Sequence, residues 1–297
     1  MNLVECKDLT KRFGATVALD KVNIEIFEKS IHLILGPNGS GKSTLLKIIL
    51  GLYRPTSGIV KVFGLNPWKY SYEVHKKCSA VIEGLPLLGW ISGRDFLKTY
   101  CKLKGISWEY MDELASTLRI KDYWNKHIRT YSSGMRKRIL LAMGLLSSSE
   151  LIILDEPFTL IDNTTLNEII DIIYRLNSDK GATFIIASHM LPSKLKEIAN
   201  SLTILFNGKV LIHKHLGNIS ELKDINIPIR VHIKTKNINE DIELISKNIG
   251  ISKIVINKDR NTIELLTTVE KIPILKNYFK TRISFKIDFE ELYRNLL

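Results

Sequence analysis

The chain has 297 residues, 45% of them hydrophobic and 25% charged, and its 43 basic and 31 acidic side chains leave a formal net charge of +12. This is the composition of a soluble globular protein. No apolar run approaches the ~18 residues of a membrane-crossing helix, and the opening MNLVECKDLTKRF lacks the apolar core of a signal peptide, so a cytoplasmic chain is expected. The excess of positive charge favours a polyanion or an anionic membrane face, or is a solvated basic surface. Cys6, Cys78 and Cys101 form no CxxC pair and read as buried apolar residues rather than metal ligands or a disulfide set.

In chain order, VECKDLTKRF and ATVALDKVNIEIF alternate as sheet strands do, and IHLILG is an apolar run halted by glycine, as in a buried parallel strand. After GKST, Leu45, Leu46, Ile48, Ile49 and Leu52 follow helical spacing; RPTSG turns the chain, and IVKVFG is another strand. Residues from about 84 to 150 read as helical in RDFLKTYCKLKG, YMDELASTLRI and MRKRILLAMGLLSS. Next come the buried strand LIILD, an amphipathic helix NEIIDIIYRLNSDK ended by Gly181, the buried strand TFIIASH, a helix SKLKEIAN, and a closing strand pair SLTILF and KVLIHK. Such βα alternation implies a mostly parallel sheet covered by helices. A boundary falls near 215–227, giving an expected first domain 1–215 and second domain 216–297. Beyond the boundary the order βαββαβ, a turn at DRN included, matches the split-βαβ, ferredoxin-like arrangement, followed by a short helix EELYRNLL.

GPNGSGKST, residues Gly36, Pro37, Asn38, Gly39, Ser40, Gly41, Lys42, Ser43 and Thr44, fits G-x-x-x-x-G-K-[ST] between an apolar strand and a helix. Its glycines let successive N–H groups face one anion, and the helix N-terminus adds partial positive charge. Lys42 is expected to reach the β- and γ-phosphates of a nucleotide and the Ser43 hydroxyl to ligate Mg²⁺. Asp155 ends a buried strand, where it can hold Mg²⁺ through water; Glu156 follows and suits a general base on water in line with the γ-phosphate. His189, after the next buried strand, is delivered to the same crevice, since parallel strands ending at one sheet edge share it. Lys11, Arg12, Arg54 and Arg94 read as solvated charges.

A second glycine-serine stretch, YSSGMRKR at 131–138, also opens a helix. With the other motifs in this order, residues ~1–215 resemble the nucleotide-binding subunit of ATP-binding cassette (ABC) transporters. YSSGMRKR is similar to that family's signature loop, with Ser133 in place of a glycine and Met135 in place of a glutamine, a variant like that of exporter-type subunits handling drugs and antibiotics. The resemblance implies an α/β P-loop NTPase core with a helical subdomain, binding ATP and Mg²⁺. It implies two subunits, identical or closely related, packed head to tail, each ATP clasped between one phosphate loop and the partner's Ser132, Ser133 and Gly134. It further implies adenine stacking by Phe13, an interface-crossing loop carrying Asp162, and a metal-sensing position held by Glu83 in place of the usual glutamine. A separate membrane permease is implied as partner, docking near GLPLLGWISGRDFL and Trp90, with the chain peripheral on the inner face of the membrane. The rival function, an ABC ATPase acting on nucleic acid or ribosomes, fits less well, because the sequence shows neither the long coiled-coil insertions or zinc cysteines of DNA-repair members nor the two cassettes of translation-linked ones; direct nucleic-acid contact is not expected. Nothing in the last ~75 residues has catalytic spacing, and a structural role is expected there.

Overall fold

Alternation along Asn2–Phe13 (β1) and Thr16–Phe27 (β2) buries Val4, Leu9, Leu19, Val22, Ile24 and Ile26 and leaves Lys7, Lys21 and Glu25 outside. With β4 (Ser57–Val62) they form an antiparallel sheet of order β2-β1-β4. The second sheet has the order β5-β6-β7-β3-β8-β9, comprising Cys78–Val81 (β5), Leu151–Asp155 (β6), Thr183–Ser188 (β7), Ile31–Leu35 (β3), Ser201–Phe206 (β8) and Lys209–His215 (β9). All its pairs are parallel except β8 with β9. Every residue of β3, β6 and β7 is buried, as in a parallel sheet covered on both faces. Helix α1 (Lys42–Ile49) packs against strands of both sheets, and its Leu45, Leu46, Ile48 and Ile49 are fully buried.

The computed structural model describes residues 1–82, 84–146, 149–217, 228–235, 237–248, 253–257, 262–268, 272–279 and 282–287. They belong to two compact units, Met1–Ile219 and Ser220–Leu297. In the first unit the sequence reading passed over two elements, α2 (Ser71–Lys77) and β5. The helix buries only Val74, and the strand only Cys78 and Val81, too few residues for either period to appear. Helices α3 (Gly93–Lys104), α4 (Trp108–Thr117) and α5 (Ser133–Leu145) pack on one another, and α5 also packs on β5 and β6. Helix α6 (Asn163–Lys180) starts at Asp162 and stops at Gly181, whose φ of 68° is left-handed; α7 (Ser193–Ile198) follows β7.

A histidine relay joins the two sheets. His32 of β3, fully buried, pairs through Nδ1 with Ser201 Oγ and through Nε2 with Thr203 Oγ1 at 2.9 Å. Thr203 Oγ1 meets His213 Nδ1 at 2.9 Å, and His213 Nε2 accepts the Glu25 N–H of β2 at 3.1 Å. That last bond leaves Nε2 unprotonated, so Nδ1 carries the proton and each ring in the relay is neutral. Burial pushes the His32 pKa well below 6.5, with His213 and His215 adding to the effect, and lowers that of His213 too.

The second unit runs β10 (Pro228–Lys234), α8 (Ile238–Asn248), β11 (Lys253–Asn257), β12 (Thr262–Thr268), α9 (Ile272–Phe279) and β13 (Ile283–Ile287), and its four strands form an antiparallel sheet of order β11-β12-β10-β13. This is the expected split-βαβ arrangement. The expected DRN turn and the final helix EELYRNLL lie outside the described residues.

Candidate active site

Strands β6, β7 and β3 end level with one another: Asp155 pairs with Ala187, Leu35 with Ser188, and the Gly36 N–H donates to the Ser188 carbonyl at 3.3 Å. The residues that follow each strand are therefore delivered to one crevice. That cleft, about 720 Å³, is lined by Lys42, Ser43, Asp155, Glu156 and His189, and on its α5 side by Ser133, Arg136 and Lys137.

Gly39 and Gly41 turn the phosphate loop with φ of 81° and 104°, conformations that favour glycine. Gly36 serves differently. A Cβ there would lie 2.3 Å from the Leu205 carbonyl oxygen and 2.5 Å from Ser40 Oγ, so the loop needs its close approach and not a left-handed φ. Helix α1 opens at Lys42 with no side-chain cap, which leaves its first N–H groups for an anion. The Lys42 ammonium is buried, donating to the carbonyls of Gly36 at 2.9 Å and Pro37 at 3.0 Å and lying 3.3 Å from Glu156 Oε1.

Asp155 is fully buried, yet neither of its carboxylate oxygens has a hydrogen-bond partner. Burial raises its pKa. A buried carboxylate with unmet acceptors suits a cation, and Ser43 and Asp155 together fit Mg²⁺. Among the described residues no three His, Cys, Asp or Glu side chains gather into a metal site. A cation bound by one carboxylate, a hydroxyl, waters and substrate phosphates is the habit of Mg²⁺. The expected ligand Glu83 lies outside the described residues.

Glu156 sits at φ 48°, a left-handed conformation that costs a non-glycine residue about 1–3 kcal/mol. Its N–H is anchored to the Ala187 carbonyl at 2.8 Å. Its Oε2 accepts from His189 Nδ1 at 2.8 Å and from the His189 backbone N–H at 3.3 Å. The carboxylate is thus aimed at the cleft by a histidine on the neighbouring strand end.

The remaining expected residues are spread more widely. Ser132 caps α5, its Oγ accepting the Met135 N–H at 3.3 Å, and Ser132 and Ser133 are exposed. Asp162 caps α6, accepting from Thr165 N–H at 3.0 Å and Thr165 Oγ1 at 2.9 Å, and pairs with Arg138 Nη2 at 2.7 Å. These Thr165 contacts, with Arg138 and Arg119 nearby, pull its pKa down to about 2. Phe13 is 45% exposed, edge-on to Tyr53 at 5.6 Å with Lys11 Nζ 4.8 Å above its ring. The cleft is lined nearby by Thr16, Val17 and Ala18, while Phe13, Ser132, Gly134 and Asp162 are not part of its wall.

Arg12, Arg54 and Arg94 are exposed, as solvated charges are, the Arg94 guanidinium lying 5.4 Å over the Trp124 ring. Lys11 is half-buried and donates to the Arg54 carbonyl at 2.8 Å. Lys137, given no role of its own from sequence, donates to the Asp155 carbonyl at 3.0 Å. Its place in the basic run after Gly134 was the only signal.

The ABC transporter family profile matches residues 19–159. The bacitracin transport ATP-binding protein BcrA of Enterococcus faecalis is 31% identical over 225 residues, 75% of this chain and 72% of its own length. The lantibiotic transport ATP-binding protein SrtF of Streptococcus pyogenes is 30% identical over 223 residues, 75% of this chain and 95% of its own. A dimeric ATP-binding cassette solved with ADP and Pi superimposes with a TM-score of 0.61 at 26% identity, covering 72% of this chain and 98% of that one. With the phosphate loop, the strand-end carboxylates and these relatives in agreement, the chain belongs to the ABC transporter family, as one of its ATP-hydrolysing subunits.

Proposed function

We propose that this subunit powers export through a separate membrane permease, by clasping ATP between two cassettes packed head to tail and releasing them after hydrolysis. The observation that carries the reading is the meeting of Lys42, Asp155, Glu156 and His189 in one cleft, with Ser132 and Ser133 exposed at the N-terminus of α5. The phosphate loop and α1 bind the nucleotide's phosphates through N–H groups and Lys42. Asp155 and Ser43 hold Mg²⁺, which when bound neutralises charge on the β- and γ-phosphates. Glu156 takes the proton of the attacking water, held for that task by His189. One cassette leaves the outer side of the γ-phosphate to solvent. The partner's signature loop, a second helix N-terminus, supplies hydroxyl and N–H donors there. Loss of the γ-phosphate removes those contacts and lets the pair separate.

Transport is supported by the roles that BcrA and SrtF carry in their names; its outward direction rests on the similarity of YSSGMRKR to the signature loop of exporter-type subunits. Phe13 is assigned to the adenine and Asp162 to the loop between cassettes. No described helix is long and apolar enough to cross a membrane, so passage of cargo falls to the permease, and the subunit sits against the inner face of the membrane through it. The test is phosphate release and size-exclusion chromatography of Glu156→Gln. Hydrolysis is expected to fall by about 10²–10⁴ while an ATP-dependent dimer accumulates; a variant that remained monomeric in ATP would contradict the clasp.

A further inference from the structure

The ATP cleft is lined by three of the 43 basic side chains, Lys42, Arg136 and Lys137, and another group stands apart from it on α3. Arg94, Lys98 and Lys102 follow one another at i, i+4 and i+8, so they form one row along the helix. All three are exposed, whereas the adjoining row of Gly93, Leu97 and Cys101 is buried. The helix carries four basic side chains and a single acid, Asp95, whose Oδ2 is taken by the Ser92 hydroxyl at 2.6 Å. On α4, Glu109 accepts from Ser107 and Asp112 pairs with Lys121. Among the described residues, then, no carboxylate neutralises the row. Two tryptophans lie under it. Trp108 and Trp124 stack at 5.7 Å, with Lys98 Nζ 5.5 Å over the first ring and the Arg94 guanidinium 5.4 Å over the second. Cations held in this way lay their stems on apolar surface and keep the charged heads outward. At the end of the row Leu103 is 80% exposed between Lys102 and Lys104.

We propose that this face of α3 is a lipid-contacting surface, resting on the anionic headgroups of the membrane leaflet beside the permease. The charge is complementary: an unneutralised row of cations matches a phosphate-bearing leaflet. Indole rings with one wet and one apolar side settle at headgroup level, and a leucine flanked by lysines can enter the acyl boundary while its neighbours stay at the phosphates. An acidic protein surface would match the cations alone; a leaflet matches cations, indoles and leucine together. The position agrees. Trp90, in the loop assigned to the permease, stands just before α3, and its carbonyl is held by His127, three residues beyond Trp124. The row therefore begins beside the docking loop, on the side where a bilayer lies. The proposal rests on the permease reading for that direction only.

The test is co-sedimentation of the full chain with phosphatidylcholine vesicles, with and without phosphatidylglycerol, at low and high salt. A row variant carrying Arg94→Gln, Lys98→Gln and Lys102→Gln is set against a control carrying Lys21→Gln, Lys61→Gln and Lys214→Gln, three exposed lysines elsewhere. Both lose the same charge, so the comparison separates a site from the pull of the whole molecule. The natural chain is expected to bind only the anionic vesicles, more weakly as salt screens the headgroups. The row variant is expected to lose about 10²-fold in partitioning, the control less than about three-fold, with the basal ATPase rate unchanged in both. Equal losses in the two variants, no loss in either, or equal binding to phosphatidylcholine alone overturns the proposal. So does a row variant that keeps vesicle binding but fails to recover the permease, the mark of an acidic protein partner. Should the row variant not fold, Lys98→Gln with Lys102→Gln is expected to lose about 30-fold under the same criteria. Failure of the permease reading shows separately, as unchanged recovery of the permease by Trp90→Ala.

Discussion

His189 holds Glu156 twice by the same oxygen: ring Nδ1 at 2.8 Å and backbone N–H at 3.3 Å both donate to Oε2. Oε1 lies 3.3 Å from Lys42 Nζ, so the histidine and the lysine each fix one oxygen of the carboxylate. Removing the ring while keeping the carboxylate should misdirect the base without deleting it. His189→Ala is therefore expected to slow single-turnover hydrolysis by about 10–10², less than the 10²–10⁴ loss from Glu156→Gln. Equal losses, or none from His189→Ala, would remove the positioning role.

Gly36 and Gly39 are both glycines of one loop but are required for different reasons. A methyl on Gly36 meets the Leu205 carbonyl oxygen at 2.3 Å, whereas one on Gly39 meets nothing within 4 Å and suffers only from φ 81°. Gly36→Ala should destabilise the fold by about 1–3 kcal/mol, as overpacking does, and weaken ATP binding by reshaping the loop. Gly39→Ala should cost about 1 kcal/mol. Urea denaturation and fluorescent-nucleotide titration of the two variants check the order.

The histidine relay predicts the direction of acid sensitivity. His32 is fully buried and its pKa is depressed below 6.5, so below pH 6.5 the unfolded chain binds a proton that the folded chain refuses. Its stabilising contribution is present above pH 6.5 and declines as pH falls below it, until the folded pKa is reached. Through that window each histidine that stays neutral lowers stability by about 1.4 kcal/mol per pH unit. Urea unfolding at pH 7 and pH 5.5 should show the drop, and His32→Gln should flatten it. A slope unaltered by the substitution would place the acid sensitivity elsewhere.

Trp90 stands 69% exposed while its carbonyl is fixed by His127 Nδ1 at 2.7 Å. A large rigid aromatic on a tethered backbone is the kind of residue that anchors an interface. Trp90→Ala is expected to keep the ATPase rate of the isolated subunit and to reduce recovery of the permease on co-purification by about ten-fold. Unchanged recovery would argue against docking through this loop.

The parts of the site that were legible in the sequence are those set by short-range geometry. Nine residues from Gly36 to Thr44 declare a phosphate loop because the φ angles at Gly39 and Gly41 and the helix start at Lys42 are local properties. Five-residue apolar runs such as Ile31–Leu35 and Leu151–Asp155 declare buried parallel strands because both faces must be covered, and residues just after them are thereby assigned to one sheet edge. Short elements with one or two buried residues, α2 and β5, carry too little pattern to be read.

By itself, then, the sequence determined the phosphate loop, the carboxylates at a strand end and the two-unit order of elements. The tertiary structure alone decided that Gly36 is needed against Leu205, that His32 and His213 form a neutral relay across two sheets, and that Arg138 grips Asp162 from 24 residues away. The physical reason is range. Periodicity and backbone preference act over a few residues, whereas these contacts depend on strand order and on how a helix lies against it, which no local stretch encodes.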